Sequence, residues 1–113
     1  MTKTTTYLLH CFIAGLQYYD VLEIWKELKI GELLELIPEP ENRYDKHAVM
    51  VTYKGKQLGY LPRSENRHIA KILKAGMNPN EARIQSLYQD NPMYERIEVC
   101  LKVKQQNKIK EKE

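Results

Sequence analysis

Residues 48–62, Ala48-Val49-Met50-Val51-Thr52-Tyr53-Lys54-Gly55-Lys56-Gln57-Leu58-Gly59-Tyr60-Leu61-Pro62, hold two short extended runs joined by Lys54-Gly55. Glycine at the second position of a two-residue connection suits a tight hairpin turn, because the backbone there needs positive φ. The spacing predicts a strand over Ala48–Tyr53 and a partner over Lys56–Leu61. Pro62 closes the second run, since it has no N–H to give to a ladder. Just upstream, Glu39-Pro40-Glu41-Asn42-Arg43-Tyr44-Asp45-Lys46-His47 crowds turn-forming residues ahead of the apolar run. Polar and aromatic residues concentrated in a loop on a rigid sheet usually mark a place where something binds.

Outward from this hairpin the pattern stays mostly β. Leu33–Pro38 reads as a strand before the loop. Tyr7–Ala14 is apolar on both alternating faces, which predicts a central strand covered on both sides and ended by Gly15. Glu81–Tyr88 and Ile97–Val103 complete the set; in the last, Ile97, Val99, Leu101 and Val103 point one way and Glu98, Lys102 and Lys104 the other. Two helices interrupt the strands. Asp20–Leu28 opens on a capping-box pair, Asp20 and Glu23, and puts Val21, Ile24, Trp25 and Leu28 on one face, with Gly31 placed to stop it. Ser64–Ala75 is capped by Ser64, buries Ile69, Ile72 and Leu73, and is followed by Gly76. About six short strands with two helices, in an order lacking any parallel strand-helix series, predict a mainly β (α+β) domain. Its architecture is a small curled sheet or partly open barrel rather than a doubly wound sheet. The expected organisation is a flexible N-terminus over 1–6, one domain over 7–103, and a charged, disordered tail over 104–113.

A chain of 113 residues, 42% hydrophobic and 29% charged, has the length of one domain and the composition of an ordinary soluble globular protein. No apolar run has the roughly 18–20 residues of a membrane span, and Met1–Thr6 lacks the apolar core of a signal peptide. A cytoplasmic location, with no membrane partner, is the expectation. Cys11 and Cys100 are too few and too far apart for a disulfide framework, and each falls in a strand as a small apolar side chain. Net charge is only +3, and five lysines, 102, 104, 108, 110 and 112, crowd the C-terminal dozen residues. Any site for a polyanion must therefore come from local clustering.

The residues also carry a pattern in order: Gly15-x-x-Tyr18-Tyr19; then Gly31-x-x-Leu34-x-Leu36-x-x-Glu39-Pro40-x-Asn42-x-Tyr44-Asp45-x-x-Ala48-Val49-x-Val51. After it come Gly59-Tyr60-Leu61-Pro62-Arg63-x-x-Asn66-x-x-Ile69-Ala70 and Leu73-x-x-Gly76. Over about residues 7–103 this closely resembles the HIRAN domain. The resemblance implies a modified OB-like barrel with two helices, found alone in bacteria and phages or fused to helicase-type ATPases and nucleases that act on damaged or stalled DNA. It implies a reader of single-stranded 3′ ends, in which Tyr18 and Tyr44 hold terminal bases or sugars and Asp45 meets the terminal hydroxyl. Two positions depart from the family pattern. Gln17 stands where DNA-binding relatives often carry a cation, and Arg43 where proline is commoner.

The side chains fit that implication on their own chemistry. Sequence-tolerant binding of a single strand needs aromatic faces for bases and cations for the backbone. Tyr18, Tyr19, Tyr44 and Tyr60 are the candidate faces; Arg43, Lys46, Arg63 and Arg67 are the candidate cations. Gln17 adds an amide that can bond a phosphate without adding charge, and Asn42 is counted with the DNA-binding residues. A carboxylate such as Asp45 repels an internal phosphodiester but accepts a hydrogen bond from a free sugar hydroxyl. Plainer roles stand beside these: Asn42 and Asp45 as turn builders bonding nearby amides, Tyr60 as a core or edge residue, and Asn66 as a helix-start residue.

Catalysis finds little support. His10, His47 and His68 are scattered without metal-ligand spacing, there is no Cys-x-x-Cys pair, and no glycine-rich phosphate loop occurs. Glu39, Glu41 and Asp45 could hold Mg²⁺ as a nuclease would require, but turn formation explains them more simply. The expectation is a non-catalytic module with no cofactor, no metal and no small-molecule substrate, binding single-stranded DNA or free 3′ ends, with a DNA-processing protein as a further partner. The alternative is an adaptor that uses the same groove for a protein.

Overall fold

The computed structural model describes residues 2–16, 21–74 and 81–108. Six strands run in chain order: β1 Thr2–Phe12, β2 Glu35–Pro38, β3 Val49–Tyr53, β4 Lys56–Tyr60, β5 Glu81–Leu87 and β6 Ile97–Lys108. They pair antiparallel in two three-stranded sheets, ordered β1-β6-β5 and β2-β3-β4. The hairpin read from Lys54-Gly55 is present. Lys54 (φ 48°) and Gly55 (φ 82°) both have the positive φ of a type I′ turn, whose twist matches that of the flanking strands.

β6 lies between β1 and β5, so it, and not the strand expected over Tyr7–Ala14, is central in its sheet. Cys11 and Ile13 face inward while His10 is exposed, so the first strand has one core face rather than two. The inward set of β6 is as its alternation predicts: Ile97, Val99 and Leu101 are fully buried. The two sheets meet there with Val49, Val51, Leu58, Leu61 and Ile84 in a single core. Burial pushes the Cys11 thiol up to about 12, helped by the nearby charges of Glu65 and Glu98, so it behaves as an apolar, un-ionised group.

One main helix forms, α2 over Arg63–Lys74. The other expected helix is reduced, among the described residues, to one α-turn, α1 Val21–Ile24, which tightens at once into a 3₁₀ turn over Trp25–Glu27. Its buried face is nonetheless the expected one, with Val21, Ile24 and Leu28 in the core. So short a helix gains few internal hydrogen bonds and is held by that packing. Its proposed cap, Asp20, lies outside the described residues.

The described strands do not close into a continuous barrel. The sheets are tied at their edges by two isolated bridges, Ala14 to Tyr60 and Leu33 to Arg83. Ala14 and Tyr60 exchange both backbone bonds, at 2.8 and 2.9 Å. Each bridge stays short because a glycine turns the chain beside it: Gly15 (φ 76°) after Ala14 and Gly31 (φ 92°) before Leu33. At the other end of the fold, β1 and β6 stay paired out to Thr2 opposite Lys108. The ladder thus includes residues 2–6 and 104–108. Backbone pairing between two strands requires no apolar side chains.

Candidate nucleic-acid interface

The loop between β2 and β3 is built by its own polar side chains. Asn42 Oδ1 accepts hydrogen bonds from the backbone N–H groups of Tyr44 (2.9 Å) and Asp45 (3.0 Å). Asn42 Nδ2 donates to Glu39 Oε1 at 3.0 Å, and the same oxygen accepts from the Tyr60 hydroxyl at 2.9 Å. Asp45 Oδ1 accepts from the His47 N–H at 2.9 Å, an Asx-type turn that brings the chain round into β3. Backbone bonds close the base of the loop, from Glu39 N–H to the Ala48 carbonyl and from Ala48 N–H to the Asp45 carbonyl. Asn and Asp therefore build this loop, as their turn chemistry predicts.

Helix α2 approaches from the other side. Asn66, only 3% exposed, donates through Nδ2 to Asp45 Oδ2 at 2.7 Å. Arg63 Nε lies 3.8 Å from the same oxygen, and its Nη2 is 3.5 Å from the Tyr44 carbonyl oxygen. The His47 amide, first, and then the Asn66 amide and the Arg63 charge hold the Asp45 carboxyl below the usual aspartate range. It is thus a fixed anion in a frame of donors. Tyr44 next to it is 84% exposed, its ring turned to solvent by a loop whose own bonds are satisfied.

Between loop and helix lies a cleft of about 790 Å³. Asn42, Tyr44, Asp45, Tyr60 and Arg63, five of the expected site residues, line it together, with Ala14, Gly15, Ala48, Leu61 and Asn66. Arg43 is exposed outside this lining, and Lys46 faces a neighbouring recess with Lys71 and Lys74. Gln17, Tyr18 and Tyr19 lie outside the described residues; Gly15, two positions before Gln17, is in the cleft wall.

Two residues matter more here than their sequence context suggested. Asn66 serves the site and not the helix start, and its spacing three residues beyond Arg63 puts both on the first turn of α2 toward the loop. Glu39 joins the loop to β4 through Asn42 and Tyr60. The acidic group Glu39, Glu41 and Asp45 does not converge on a metal: no cluster of three His, Cys, Asp or Glu suited to a metal ion occurs among the described residues.

Two solved structures share the fold. The crystal structure of a protein from Lactobacillus plantarum aligns with a TM-score of 0.75 at 23% identity, covering 90% of this chain and 98% of that one. The crystal structure of the HIRAN domain of human HLTF aligns with a TM-score of 0.66 at 21% identity, covering 93% of this chain and 80% of that one. No curated protein matches the sequence. The loop, the Gly59–Arg63 strand end and the first turns of α2, which meet at the cleft, all fall within residues 7–104, the span matched by the model of the HIRAN domain, and the chain belongs to that family.

Proposed function

We propose that this chain is a non-catalytic nucleic-acid-binding module that takes single-stranded DNA, and in particular a free 3′ end, into the cleft between the β2–β3 loop and α2. Membership of a family of DNA-binding modules supports the ligand class. The observation that carries the finer reading is the pairing of Tyr44 and Asp45: an 84% exposed ring beside a fixed carboxylate at a cleft of about 790 Å³. A base stacks on the ring. The carboxylate has about four acceptor positions, of which the His47 and Asn66 donors occupy two. The remainder suit a terminal sugar hydroxyl, while Arg63 attracts the adjoining phosphate. Gln17, Tyr18 and Tyr19 complete the proposal from the sequence, and Arg43 and Lys46 flank it. The edge bridges of the two sheets favour a modified, partly open OB-like barrel as the scaffold. Work on DNA ends in repair or at replication forks, in the cytoplasm, is the role that fits such a reader.

The test is a titration of labelled oligonucleotides ending in a 3′-hydroxyl or a 3′-phosphate. The hydroxyl end should bind more tightly, and binding should weaken with salt. Equal affinity for both ends would remove Asp45 from the proposal. Absence of binding at low salt would favour the adaptor reading, with a protein in the cleft.

A further inference from the structure

Helix α2 carries four cations, Arg63, Arg67, Lys71 and Lys74, at successive spacings of four, four and three residues. At 3.6 residues per turn they fall within about 80° of arc, and from first to last they extend about 16 Å along the axis. All four are exposed, whereas Asn66, Ile69 and Ile72 face the core. Glu65, the acidic residue of the helix, stands on the other side, close enough to Cys11 to act on its thiol. Arg63 is ion-paired with Asp45 at the cleft; Arg67, Lys71 and Lys74 make no ion pair among the described residues.

The far end of this stripe opens on a second recess, of about 430 Å³. Lys71 and Lys74 enter it from α2 and Lys46 from the loop, over a floor of Pro38, Pro40, Ala48 and Ala70. Ala48 also lines the first cleft, so the two recesses adjoin. Helical positions alone would make the cations a solvated face. The third lysine, brought in by another element, and the apolar floor between them make a groove of mixed character.

We infer that this lysine-rimmed recess is a second binding point for the same single strand, holding the phosphates and an unstacked base of nucleotides inward from the end seated in the cleft. The inference rests on the cleft being the entry of the strand. Cations complement the phosphates, and the apolar floor suits a base or sugar face, which an unpaired strand exposes and a duplex hides. An acidic peptide would match the charge too, and polyglutamate is therefore one arm of the test.

Binding of a three-nucleotide and a twelve-nucleotide single strand, each with a free 3′-hydroxyl, separates the two binding points. In Lys71→Ala/Lys74→Ala the three-nucleotide strand should bind as in the parent, since it reaches only the cleft. The twelve-nucleotide strand should bind roughly tenfold more weakly, and its log–log salt slope should flatten by about 1.4, or about 0.7 for each phosphate that the lysines no longer neutralise. An unchanged affinity and slope for the longer strand would overturn the inference. A circular single strand separates it from end reading: if the circle binds as well as the linear strand and the double variant weakens both, end recognition fails and the recess stands. An equal loss with a twelve-base-pair blunt duplex would overturn the single-strand assignment. If the parent binds no oligonucleotide at low salt but does bind polyglutamate, and the double variant loses that binding, the recess is a protein site and both readings fall.

Discussion

Asn66 Nδ2 donates to Asp45 Oδ2 at 2.7 Å, and this bond fastens the first turns of α2 to the loop that displays Tyr44. Asn66 is almost completely buried, so its removal costs both a bond to a charged acceptor and the packing of its side chain, although the Asp45 carboxylate it leaves lines the cleft. Asn66→Ala should therefore destabilise the fold by about 1.5–3 kcal/mol, the range for a hydrogen bond to a charged group. Urea unfolding measures the change. A loss under about 0.5 kcal/mol would mean that loop and helix are held together by other interactions.

Asp45 supplies a pH dependence whose sign follows from its donors. Its pKa is lowered in the folded state, chiefly by the His47 amide and then by Asn66 and Arg63, so folding favours the charged form. The resulting stability is fully present above the unfolded aspartate pKa, about 3.9, and is lost as pH falls through the lower folded value. In Asp45→Asn that component is absent. The stability gap between parent and variant should be constant near neutrality and shrink from about pH 4 downward. A gap that stays flat to about pH 2 in denaturant titrations would contradict the lowered pKa.

Gly59 lies against the bridge that joins the two sheets. A Cβ there would collide with the Ala14 carbonyl oxygen and lie 2.6 Å from Ile13 Cγ2. Backbone at such a position cannot swing aside as a side-chain tip can, so Gly59→Ala should cost at least about 1–3 kcal/mol, the usual cost of overpacking. Because Ala14 and Tyr60 both line the cleft, oligonucleotide affinity should fall as well. Thermal unfolding and binding of the same preparation test both. A variant as stable as the parent would show that β4 can move away from Ala14 without penalty.

Tyr44 and Arg63 should affect binding much more than folding. The Tyr44 ring is 84% exposed and the Arg63 side chain 76% exposed, so neither contributes much burial. Tyr44→Ala should leave the unfolding midpoint nearly unchanged and cost about 1–3 kcal/mol of single-strand affinity, the value of one stacked base. Tyr18→Ala should cost a similar amount if a second base stacks there. Arg63→Gln should alter stability by under about 1 kcal/mol, as an exposed ion pair does, while flattening the salt slope by about 0.7. Parental affinity in both Tyr44→Ala and Arg63→Gln would place the ligand elsewhere.

The sequence by itself determined the local elements whose signals are local. Lys54-Gly55 fixed the hairpin because only certain residues accept two consecutive positive φ angles. The alternation in β6 fixed its inward face, and the stripe of α2 fixed the main helix. The turn residues of the 39–48 loop fixed its course, since Asn42 and Asp45 bond amides only a few positions away.

Only the tertiary structure decided which strand is central, how the sheets join and what the site contains. An apolar strand reads alike whether it is an edge or a centre, because neighbours in a sheet come from distant sequence. β1 therefore looked central, although β6 lies between it and β5. The bridge between Ala14 and Tyr60 spans 46 positions, and the bond between Asn66 and Asp45 spans 21, so no local pattern could announce either. Residue types and turn chemistry were legible in the chain; the convergence of Tyr44, Asp45, Arg63 and Asn66 on one cleft was not. Packing of the shared core places α2 beside the loop, and that packing is a property of the whole fold.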